Sequence, residues 1–208
     1  MPTSLIVANA PWRWTPPLVT LARQAECVLA ADGGGNHLAR VGIRPRAVVG
    51  DLDSLRPGVR RWIGEASIVP RPDQNFTDLD KTLAYAVDEL AIRTLTVLAA
   101  LGGRPDHALA NLGLLVQWSR RCQLRFVDAE LSVVAVEGEA TLDTVPGQIV
   151  SLLPMGRCER VWASELAWPL AGESLDVVGR QGISNRATAP ALRLRVEGGA
   201  LLVFLGDC

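Results

Sequence analysis

Short apolar runs alternate with helical patterns over the first 120 or so residues, and this alternation constrains the fold more than any other feature. Most of the runs are followed by Gly, Pro or Asp, as strands are. Helices are predicted to begin at Pro16, at a capping box that opens on Thr77, and at Pro105. Such alternation indicates an α/β domain, with a mainly parallel, Rossmann-like sheet covered on both faces. The predicted strands are residues 5–8, 27–31, 47–49, 67–69 and 94–101. Besides the helix that begins at Pro16, the predicted helix ranges are 36–41, 77–92 and 105–121.

The pattern changes after Cys122. Five strand-like runs follow one another with glycines between them, and no long helical period separates them. Strands and turns in this order predict a smaller C-terminal antiparallel β-sandwich of about 80 residues. We therefore predict two domains, residues 1–125 and residues 126–208. The strand-like runs are residues 124–127, 131–136, 149–153, 192–196 and 200–205.

Composition excludes several classes of protein. The formal net charge of −1 lacks the basic surplus of a nucleic-acid-binding protein. No apolar run approaches the roughly 20 residues that a membrane span requires, and the first ten residues lack the pattern of a secretory signal. The cysteines Cys27, Cys122, Cys158 and Cys208 are far apart and form no C-x-x-C pair, so we expect free thiols. These features predict a cytoplasmic protein that binds neither nucleic acid nor membrane.

Lys81 is the single lysine among 21 Lys and Arg residues. It lies inside a predicted helix, and no G-x-x-x-x-G-K-[ST] motif occurs, which excludes a P-loop kinase. A kinase that neutralises the triphosphate with a lysine is excluded as well, unless Lys81 has this role. Charge on a transferring group would otherwise be met by a metal ion and by Arg104.

Aspartates follow the predicted strands at the point where each strand ends. Asp32, Asp51, Asp53 and Asp106 come directly after strands, and Asp78 opens a predicted helix. Because open α/β sheets bind ligands at the carboxyl ends of their strands, we expect these side chains to converge there. Clustered carboxylates repel one another unless a cation lies between them, and Mg²⁺ takes oxygen ligands. The sequence therefore predicts a magnesium and phosphate site.

The glycines of two loops fit the same site. Residues 33–35 and 102–103 are all glycine, which lets backbone N–H groups approach phosphate oxygens closely. Each piece alone also fits a structural role: Asp-Gly-Gly as a turn, Gly-Asp-x-Asp-Ser as a solvated loop, and Thr77 with Asp78 as a helix cap. The prediction of a site therefore depends on all the pieces occurring together.

Five blocks of the sequence resemble the thiamine pyrophosphokinase family, and they stand in the family's order. The resemblance implies that residues 1–125 are an α/β nucleotide-binding catalytic domain and residues 126–208 a thiamine-binding β-sandwich. It also implies a homodimer with thiamine sites at the subunit junction, and transfer of pyrophosphate from Mg-ATP to thiamine with release of AMP. The blocks are ADGGGNHLARVGIRPRAVVGDLDS at 31–54, DQNFTDLDKTLAYA at 73–86, LGGRPDHALANLGLL at 101–115, VSLLPM at 150–155 and GISN at 182–185.

The resemblance also implies roles for individual residues. The implied metal ligands are Asp51, Asp53 and Asp78, which together with Arg104 and Asp106 are the implied catalytic residues. The implied nucleotide-binding residues are Asp32, Gly33, Gly34, Asn36, Gly50, Asp51, Ser54, Gly102, Gly103, Arg104 and Asp106. The implied thiamine-binding residues are Gln74, Asp78, Ser184 and Asn185.

The sequence departs from the family in two places. Asn75 stands where many relatives carry an acid, which removes one charge from the edge of the site. The aromatic ring that some relatives supply after the GISN block, to stack on thiamine, is absent here, and Phe204, Trp162 and Trp168 are the alternatives. An aromatic face or a carboxylate is physically expected because thiamine is a cation.

The predicted mechanism is in-line attack of the acceptor's hydroxyl on the β-phosphorus of ATP, with Asp78 or Asp106 as a candidate base. Three alternatives stay open: a pyrophosphokinase that acts on a hydroxymethylpterin, a non-catalytic nucleotide or thiamine sensor, and a structural α/β protein with solvated loop acids. Discrimination among alcohols is expected to depend on the second domain and on Gln74. Release of AMP from Mg-ATP in the presence of candidate alcohols separates these alternatives.

Overall fold

The computed structural model describes residues 4–206 of the chain. It divides into two compact units, the first ending at Ala129 and the second beginning at Glu130. Cys27, Cys122 and Cys158 are buried free thiols, as predicted, whereas Cys208 lies outside the described residues. None of the helices among the described residues has the length and apolarity that a membrane crossing requires.

The described part of the first unit contains one parallel sheet. Its strands are β1 (Ser4–Val7), β2 (Cys27–Ala31), β3 (Ala47–Gly50), β4 (Ile68–Pro70), β5 (Thr94–Leu98) and β6 (Gln123–Val127). Their order across the sheet is β6-β5-β1-β2-β3-β4, and each pair of neighbours is parallel. β1, β2 and β3 are buried along their whole length, as in sheets that helices cover on both faces. The strands predicted at residues 5–8, 27–31, 47–49, 67–69 and 94–101 are confirmed with small shifts of their ends.

The helices between these strands are α1 (Pro16–Gln24), α2 (Gly34–Arg40), α3 (Pro57–Ile63), α4 (Asp78–Ala84) and α5 (Pro105–Ser119). Proline occupies the first turn of α1, α3 and α5, where its missing N–H costs no hydrogen bond. Thr77 caps α4, its hydroxyl accepting a hydrogen bond from the Asp80 N–H at 3.3 Å. The sequence predicts a helix as far as residue 92, but the structure changes to a π-helical turn over Tyr85–Glu89. The sequence pattern does not predict α3, because Arg56 is not a typical N-cap residue and Ile63 is the only buried residue of the helix.

Helices α1, α2 and α3 share one apolar core with the sheet. Leu18, Leu38 and Ile63 from these helices cluster with Leu5 and Val7 of β1. Helices α4 and α5 contact each other, and they also contact β2, β3 and β6. The helices therefore pack against the sheet and leave its carboxyl edge to the loops.

The order of the strands reverses its direction at β1. Strands β2, β3 and β4 are added on one side of β1, whereas β5 and β6 lie on the other side. The carboxyl ends of β1 and β5 therefore border a crevice, and open α/β sheets bind their ligands at such a crevice. The loops that follow these two strands are the first elements of the candidate site.

The second unit consists of antiparallel strands in two sheets that share two long strands. The strands are β7 (Leu131–Asp143), β8 (Ile149–Met155), β9 (Arg157–Ala163), β10 (Leu170–Asp176), β11 (Gly182–Arg186) and β12 (Ala191–Gly206). The first half of β12 pairs with β9, which pairs with β10, and its second half pairs with β8, which pairs with β11. β7 pairs with β12 along both halves.

The two shared strands bend where they pass from one sheet to the other. Gly138 of β7 and Gly198 and Gly199 of β12 all have positive φ, and the register between the strands shifts at this point. Bends of this kind let a strand switch sheets in a sandwich. Apolar residues of both sheets, among them Leu152 and Leu192, form the core. The predicted fold class, an α/β domain followed by a β-sandwich, is confirmed.

The sequence predictions for this region differ from the structure in three places. The run at 124–127 lies in β6 and pairs with β5 of the first unit, although its alternating exposed and buried residues resemble an antiparallel strand. The sequence pattern does not predict β9 and β10, because charged residues interrupt their apolar ones. Residues 182–185, whose glycine and short polar side chains fit a tight turn, lie in β11 and pair with β8.

Candidate active site

The backbone is unusual just after three strands of the parallel sheet. Asp32, Leu52 and Ala99, which follow β2, β3 and β5, have φ angles of 40°, 71° and 57°. Residues other than glycine seldom adopt this left-handed region. Strained residues persist only where their surroundings hold them, and they cluster at functional sites.

Three carboxylates meet at this edge of the sheet. One oxygen from each of Asp32, Asp51 and Asp78 lies within 4.8 Å of the other two. Asp32 follows β2, Asp51 follows β3 and Asp78 begins α4. The Asp51 N–H donates to Asp78 Oδ1 at 3.3 Å, which joins the loop after β3 to the start of α4. We call these three residues the acid group.

Asp32 is the buried member of the acid group, with 1% of its surface exposed. Its Oδ2 accepts a hydrogen bond from the Ser54 N–H at 3.0 Å, whereas its Oδ1 has no hydrogen-bond partner among residues 4–206. Burial raises the pKa of Asp32 to about 6, opposed by the Ser54 N–H and assisted by the charges of Asp78 and Asp53. A buried, unpartnered carboxylate oxygen that faces two further carboxylates fits a hard divalent cation such as Mg²⁺.

Gln74 and Asp53 lie on either side of Asp51. Gln74 Nε2 donates to Asp51 Oδ2 at 2.9 Å, and this hydrogen bond is the main cause of a lowered Asp51 pKa. Asp53 is exposed and is not a member of the acid group, and its carboxylate accepts a hydrogen bond from the Ser54 hydroxyl at 3.0 Å. Its role as a metal ligand therefore stays a prediction from the resemblance. Asp32, predicted as a nucleotide-binding residue, is the third member of the group instead.

A cavity of about 760 Å³ opens beside the acid group. Its wall is formed by the loop after β1, the loop after β5, the start of α5 and the segment that leads into α4. The predicted site residues on this wall are Asp51, Ser54, Gln74, Asp78, Gly102, Gly103 and Arg104. The predicted residues of the first unit outside its lining are Asp32, Gly33, Gly34, Asn36, Gly50, Asp53 and Asp106.

Arg104 and Asp106 form an exposed pair at the start of α5. Arg104 Nε donates to Asp106 Oδ1 at 3.1 Å, and Nη2 donates to Oδ2 at 2.6 Å. The guanidinium lowers the pKa of Asp106 to about 2. Asp106 is therefore ionised at neutral pH and is a weak base.

Two glycines of the predicted phosphate loops are needed where the chain approaches itself. A Cβ on Gly34 would lie 1.9 Å from the carbonyl oxygen of Val7, and a Cβ on Gly102 would lie 2.3 Å from that of Pro11. Packing alone thus requires glycine at both positions. The approach of phosphates to these loops stays a prediction.

Asn36 has a structural role beside the acid group. Its Nδ2 donates to the Ser54 carbonyl oxygen at 2.9 Å, and its Oδ1 accepts from the Arg56 N–H at 3.1 Å. Asn36 therefore links α2 to the loop that carries Asp51 and Asp53. Since the same loop donates the Ser54 N–H to Asp32, this link also supports the position of the buried acid.

Ser184 and Asn185, the predicted thiamine-binding residues of the second unit, lie on β11. The Ser184 N–H donates to Ser151 Oγ at 3.0 Å, with Ser184 at a φ of 58°. The buried Asn185 side chain bonds both backbone groups of Trp168: its Oδ1 accepts from the N–H at 3.1 Å, and its Nδ2 donates to the carbonyl oxygen at 2.6 Å. Trp168 itself is 64% exposed. Asn185 thus fixes the backbone that carries an exposed aromatic ring.

The three aromatic candidates for stacking on thiamine have different surroundings. Trp162 already carries two guanidinium groups, with Arg160 and Arg195 at 5.6 and 4.9 Å from its ring centroid. A third cation would be repelled there. Phe204 is partly buried and pairs with Ser151 across the sheet. Trp168 is therefore the best placed of the three to accept a cationic ring.

Lys81 contacts the acid group, and its role is left open by the sequence. Its Nζ donates to Asp78 Oδ1 at 3.0 Å, and it lines the cavity. The spacing of three residues between Asp78 and Lys81 is the signal for this contact, since it places both on one helix face. Asp80, by contrast, accepts a hydrogen bond from Trp118 Nε1 at 2.7 Å and so joins α4 to α5.

The fold and the site define a class of protein: an α/β enzyme with an acidic cavity at the carboxyl edge of its parallel sheet. Residues 18–127, just over half of the chain, match the family described as thiamin pyrophosphokinase, catalytic domain. The chain belongs to the thiamin pyrophosphokinase family. The family resemblance of the sequence blocks is thereby confirmed.

Relatives and solved structures agree with this assignment. Thiamine pyrophosphokinase 1 of Oryza sativa subsp. japonica is 27% identical, and the match covers 88% of this chain and 78% of that protein. The crystal structure of thiamine pyrophosphokinase from Bacillus subtilis superposes with a TM-score of 0.86 at 23% identity, covering 99% of both chains. Thiamin pyrophosphokinase from Candida albicans superposes with a TM-score of 0.86 at 16% identity, covering 100% of this chain and 89% of that one. At these identities the two structures show a common fold.

Proposed function

We propose that this protein transfers a pyrophosphoryl group from ATP to the hydroxyl of thiamine, giving thiamine diphosphate and AMP. The observation that carries the proposal is the acid group beside the cavity, in a chain that belongs to the thiamin pyrophosphokinase family. In the reaction, the hydroxyl oxygen of thiamine forms a bond to the β-phosphorus. The bond between that phosphorus and the oxygen bridging to the α-phosphorus breaks, and AMP leaves with the electron pair. The hydroxyl proton passes to solvent or to a carboxylate.

The acid group is the proposed Mg²⁺ site. Asp32, Asp51 and Asp78 would hold the ion, with Asp53 as a further predicted ligand, and Mg²⁺ would neutralise charge on the phosphoryl oxygens when bound. The unpartnered Oδ1 of Asp32 supports this assignment, because a buried carboxylate oxygen needs a donor or a cation. Asp106 is a poor candidate for the base, because its pKa of about 2 makes it a weak proton acceptor.

Thiamine is the proposed acceptor, held by Gln74, Ser184, Asn185 and Trp168. The exposed Trp168 ring would stack on the cationic thiazolium or the pyrimidine, and Asn185 would keep the ring's backbone in place. Sites with fixed polar groups reject analogues that leave buried polar atoms unpaired. Discrimination against other alcohols is therefore assigned to these residues.

Two further properties belong to the proposal. The protein is proposed to be a homodimer with thiamine at the subunit junction, which is what the family resemblance implies. The reaction is proposed to take place in the cytoplasm, where the free thiols of Cys27, Cys122 and Cys158 would stay reduced.

Product analysis tests the proposed reaction. Purified protein is incubated with Mg-ATP and either thiamine or a hydroxymethylpterin, and the nucleotides of a single-turnover mixture are separated by chromatography. We expect AMP as the primary product, and only with thiamine. ADP as the primary product would overturn the reaction type, AMP with the pterin alone would support the sister pyrophosphokinase, and no nucleotide turnover with either would support a sensor.

Kinetics of a single variant test the thiamine site. Asn185→Ala removes both hydrogen bonds to the Trp168 backbone. We expect the KM for thiamine to rise at least tenfold while the KM for ATP changes less than twofold. An increase confined to the KM for ATP would show that thiamine binds elsewhere.

A further inference from the structure

The single lysine of the chain lies at the acid group. Every other basic residue among the 21 Lys and Arg residues is arginine. A chain that uses arginine everywhere else retains lysine at one position that is buried against a carboxylate and beside a cavity. An ammonium group differs from the planar guanidinium of the arginines, because it is a compact charge with three rotatable donors.

The geometry around Lys81 leaves donors free for a ligand. Its side chain is 7% exposed, and its Nζ lies 3.0 Å from Asp78 Oδ1. An ammonium group has three N–H donors. Asp78 takes one of them in the hydrogen bonds found among the described residues. The others are available to an anion in the cavity that Lys81 lines.

The charges of the site favour a phosphate ligand at this point. The acid group, Asp53 and the ammonium of Lys81 leave three negative charges in excess, and one divalent cation reduces this excess to one. With that cation bound, the site repels an anion much less. A fixed ammonium in a poorly solvated position then binds a phosphoryl oxygen more strongly than an exposed one does.

Building on the proposed function, we propose that Lys81 is a catalytic residue whose ammonium group, held by Asp78, binds oxygens of the pyrophosphoryl group during its transfer. Arginine is a poor substitute because its planar fork is larger and would be directed along the Asp78 carboxylate. Lys81 supplies hydrogen bonds to charge that grows on these oxygens as the β-phosphorus changes partners. Removal of one such donor from other active sites lowers turnover by about 10²–10³-fold.

Binding of inorganic pyrophosphate and of Mn²⁺ tests this role separately from turnover. Lys81→Met is compared with Arg60→Met, which removes a cation from the Arg60–Glu65 pair on the protein surface. We expect Lys81→Met to weaken calorimetric binding of pyrophosphate in the presence of Mg²⁺ at least tenfold and to lower kcat about 10²–10³-fold. Mn²⁺ binding without pyrophosphate should be as tight as in wild type or tighter, since a positive charge has been removed. Arg60→Met should stay within twofold of wild type in all three measurements.

Several outcomes would overturn the proposal. Unchanged pyrophosphate affinity in Lys81→Met would show that the ammonium does not contact the group. Parallel losses of Mn²⁺ and pyrophosphate affinity would show that Lys81 only positions Asp78. If Lys81→Met fails to fold by circular dichroism, Lys81→Gln keeps an N–H for Asp78 without the charge, and its pyrophosphate affinity decides the question. If wild type releases no AMP with thiamine, the proposed function fails, and the pyrophosphate comparison still tests Lys81.

Discussion

Asp32 is held in a position where its own charge is disfavoured. Its burial and the neighbouring acids raise its pKa to about 6, compared with about 3.9 in an unfolded chain. A carboxyl whose folded pKa is raised stabilises the fold when protonated, and this contribution is lost as the pH rises through about 6. At neutral pH without a cation, the charged Asp32 therefore destabilises the fold, by up to about 3 kcal/mol. A cation bound beside Asp32 would offset this destabilisation.

The first prediction concerns the stability of the cation-free protein. In EDTA at pH 7.5, Asp32→Asn is expected to raise the melting temperature by at least about 2 °C, because it removes a buried charge. At pH 5, where Asp32 in the fold is mostly protonated, the gain should shrink. Asp143→Asn, at an exposed acid of the second unit, is the control and should leave the melting temperature unchanged at both pH values. Scanning calorimetry measures both, and an equal gain at the two pH values would contradict the argument.

The second prediction concerns Asp106 and the pH dependence of turnover. Arg104 lowers the pKa of Asp106 to about 2. Asp106 therefore stays ionised throughout an assay range of about pH 5–9. We expect Asp106→Asn to leave the acidic limb of the pH–rate profile unchanged. The KM for ATP should rise at least threefold, because Arg104 loses the partner that orients it. Loss of the acidic limb in this variant would identify Asp106 as the base after all.

Some single residues of the site could be predicted because the local sequence determines their position in the fold. Asp51 and Asp78 were predictable because each lies at a strand end or a helix start. Asp53 resembles Asp51 in sequence, but Leu52 at a φ of 71° separates the directions of the two neighbours. A sequence pattern does not predict the backbone angle of a single residue. The spacing of Lys81 from Asp78 predicts their contact, but the position of the pair beside the cavity depends on the packing of α4 against β2 and β3.

At the scale of elements, α2 is placed by its contact with β1. Gly34 lies so close to β1 that a Cβ would be 1.9 Å from the Val7 carbonyl oxygen. A backbone atom cannot move aside as the end of a side chain can. Because Asp32 lies two residues before Gly34, the position of α2 also fixes the loop that contains Asp32.

The third prediction compares two glycines that are both in helices of the first unit. Gly34→Ala is expected to lower the free energy of unfolding by about 2–3 kcal/mol, because α2 must separate from β1. Gly58→Ala, in α3 with nothing within 4 Å of its Cβ, should be neutral or stabilising by less than about 1 kcal/mol. Urea denaturation gives both values. Similar stabilities of the two variants would mean that α2 can shift without cost.

The parallel strands of the first unit were the predictable elements because each is a short, fully apolar run. The strand at β6 carries Gln123 and Arg125 on its exposed side, and this alternation is the pattern of an antiparallel strand. The residues of β11 fit a turn equally well, since a glycine and an asparagine lie within five residues. They pair with residues of β8 that lie 30 to 37 positions earlier in the sequence, and a local pattern does not encode such a contact.

At the scale of the whole molecule, each unit exposes apolar side chains. Trp168, Ile183 and Val178 of the second unit are 64%, 53% and 92% exposed, and Leu109 of α5 is 62% exposed. A sandwich of about 80 residues is also a small core by itself. Both features favour the proposed homodimer of twofold symmetry. Light scattering at micromolar concentration should give twice the mass of one chain, and the monomer mass would refute the dimer.

The last prediction tests whether each thiamine site uses residues of two subunits. Asp51→Asn removes a member of the acid group, and Trp168→Ala removes the proposed stacking ring, so each homodimer should be nearly inactive. The two variants are co-expressed with different affinity tags, and the hybrid dimer is purified through both tags. If sites are shared, each hybrid has one site with both residues intact and one with both replaced, and its activity per dimer should be about half that of wild type. If each site is built within one subunit, both sites of the hybrid carry a defect and no activity should return. A wild-type dimer purified through the same two tags is the reference.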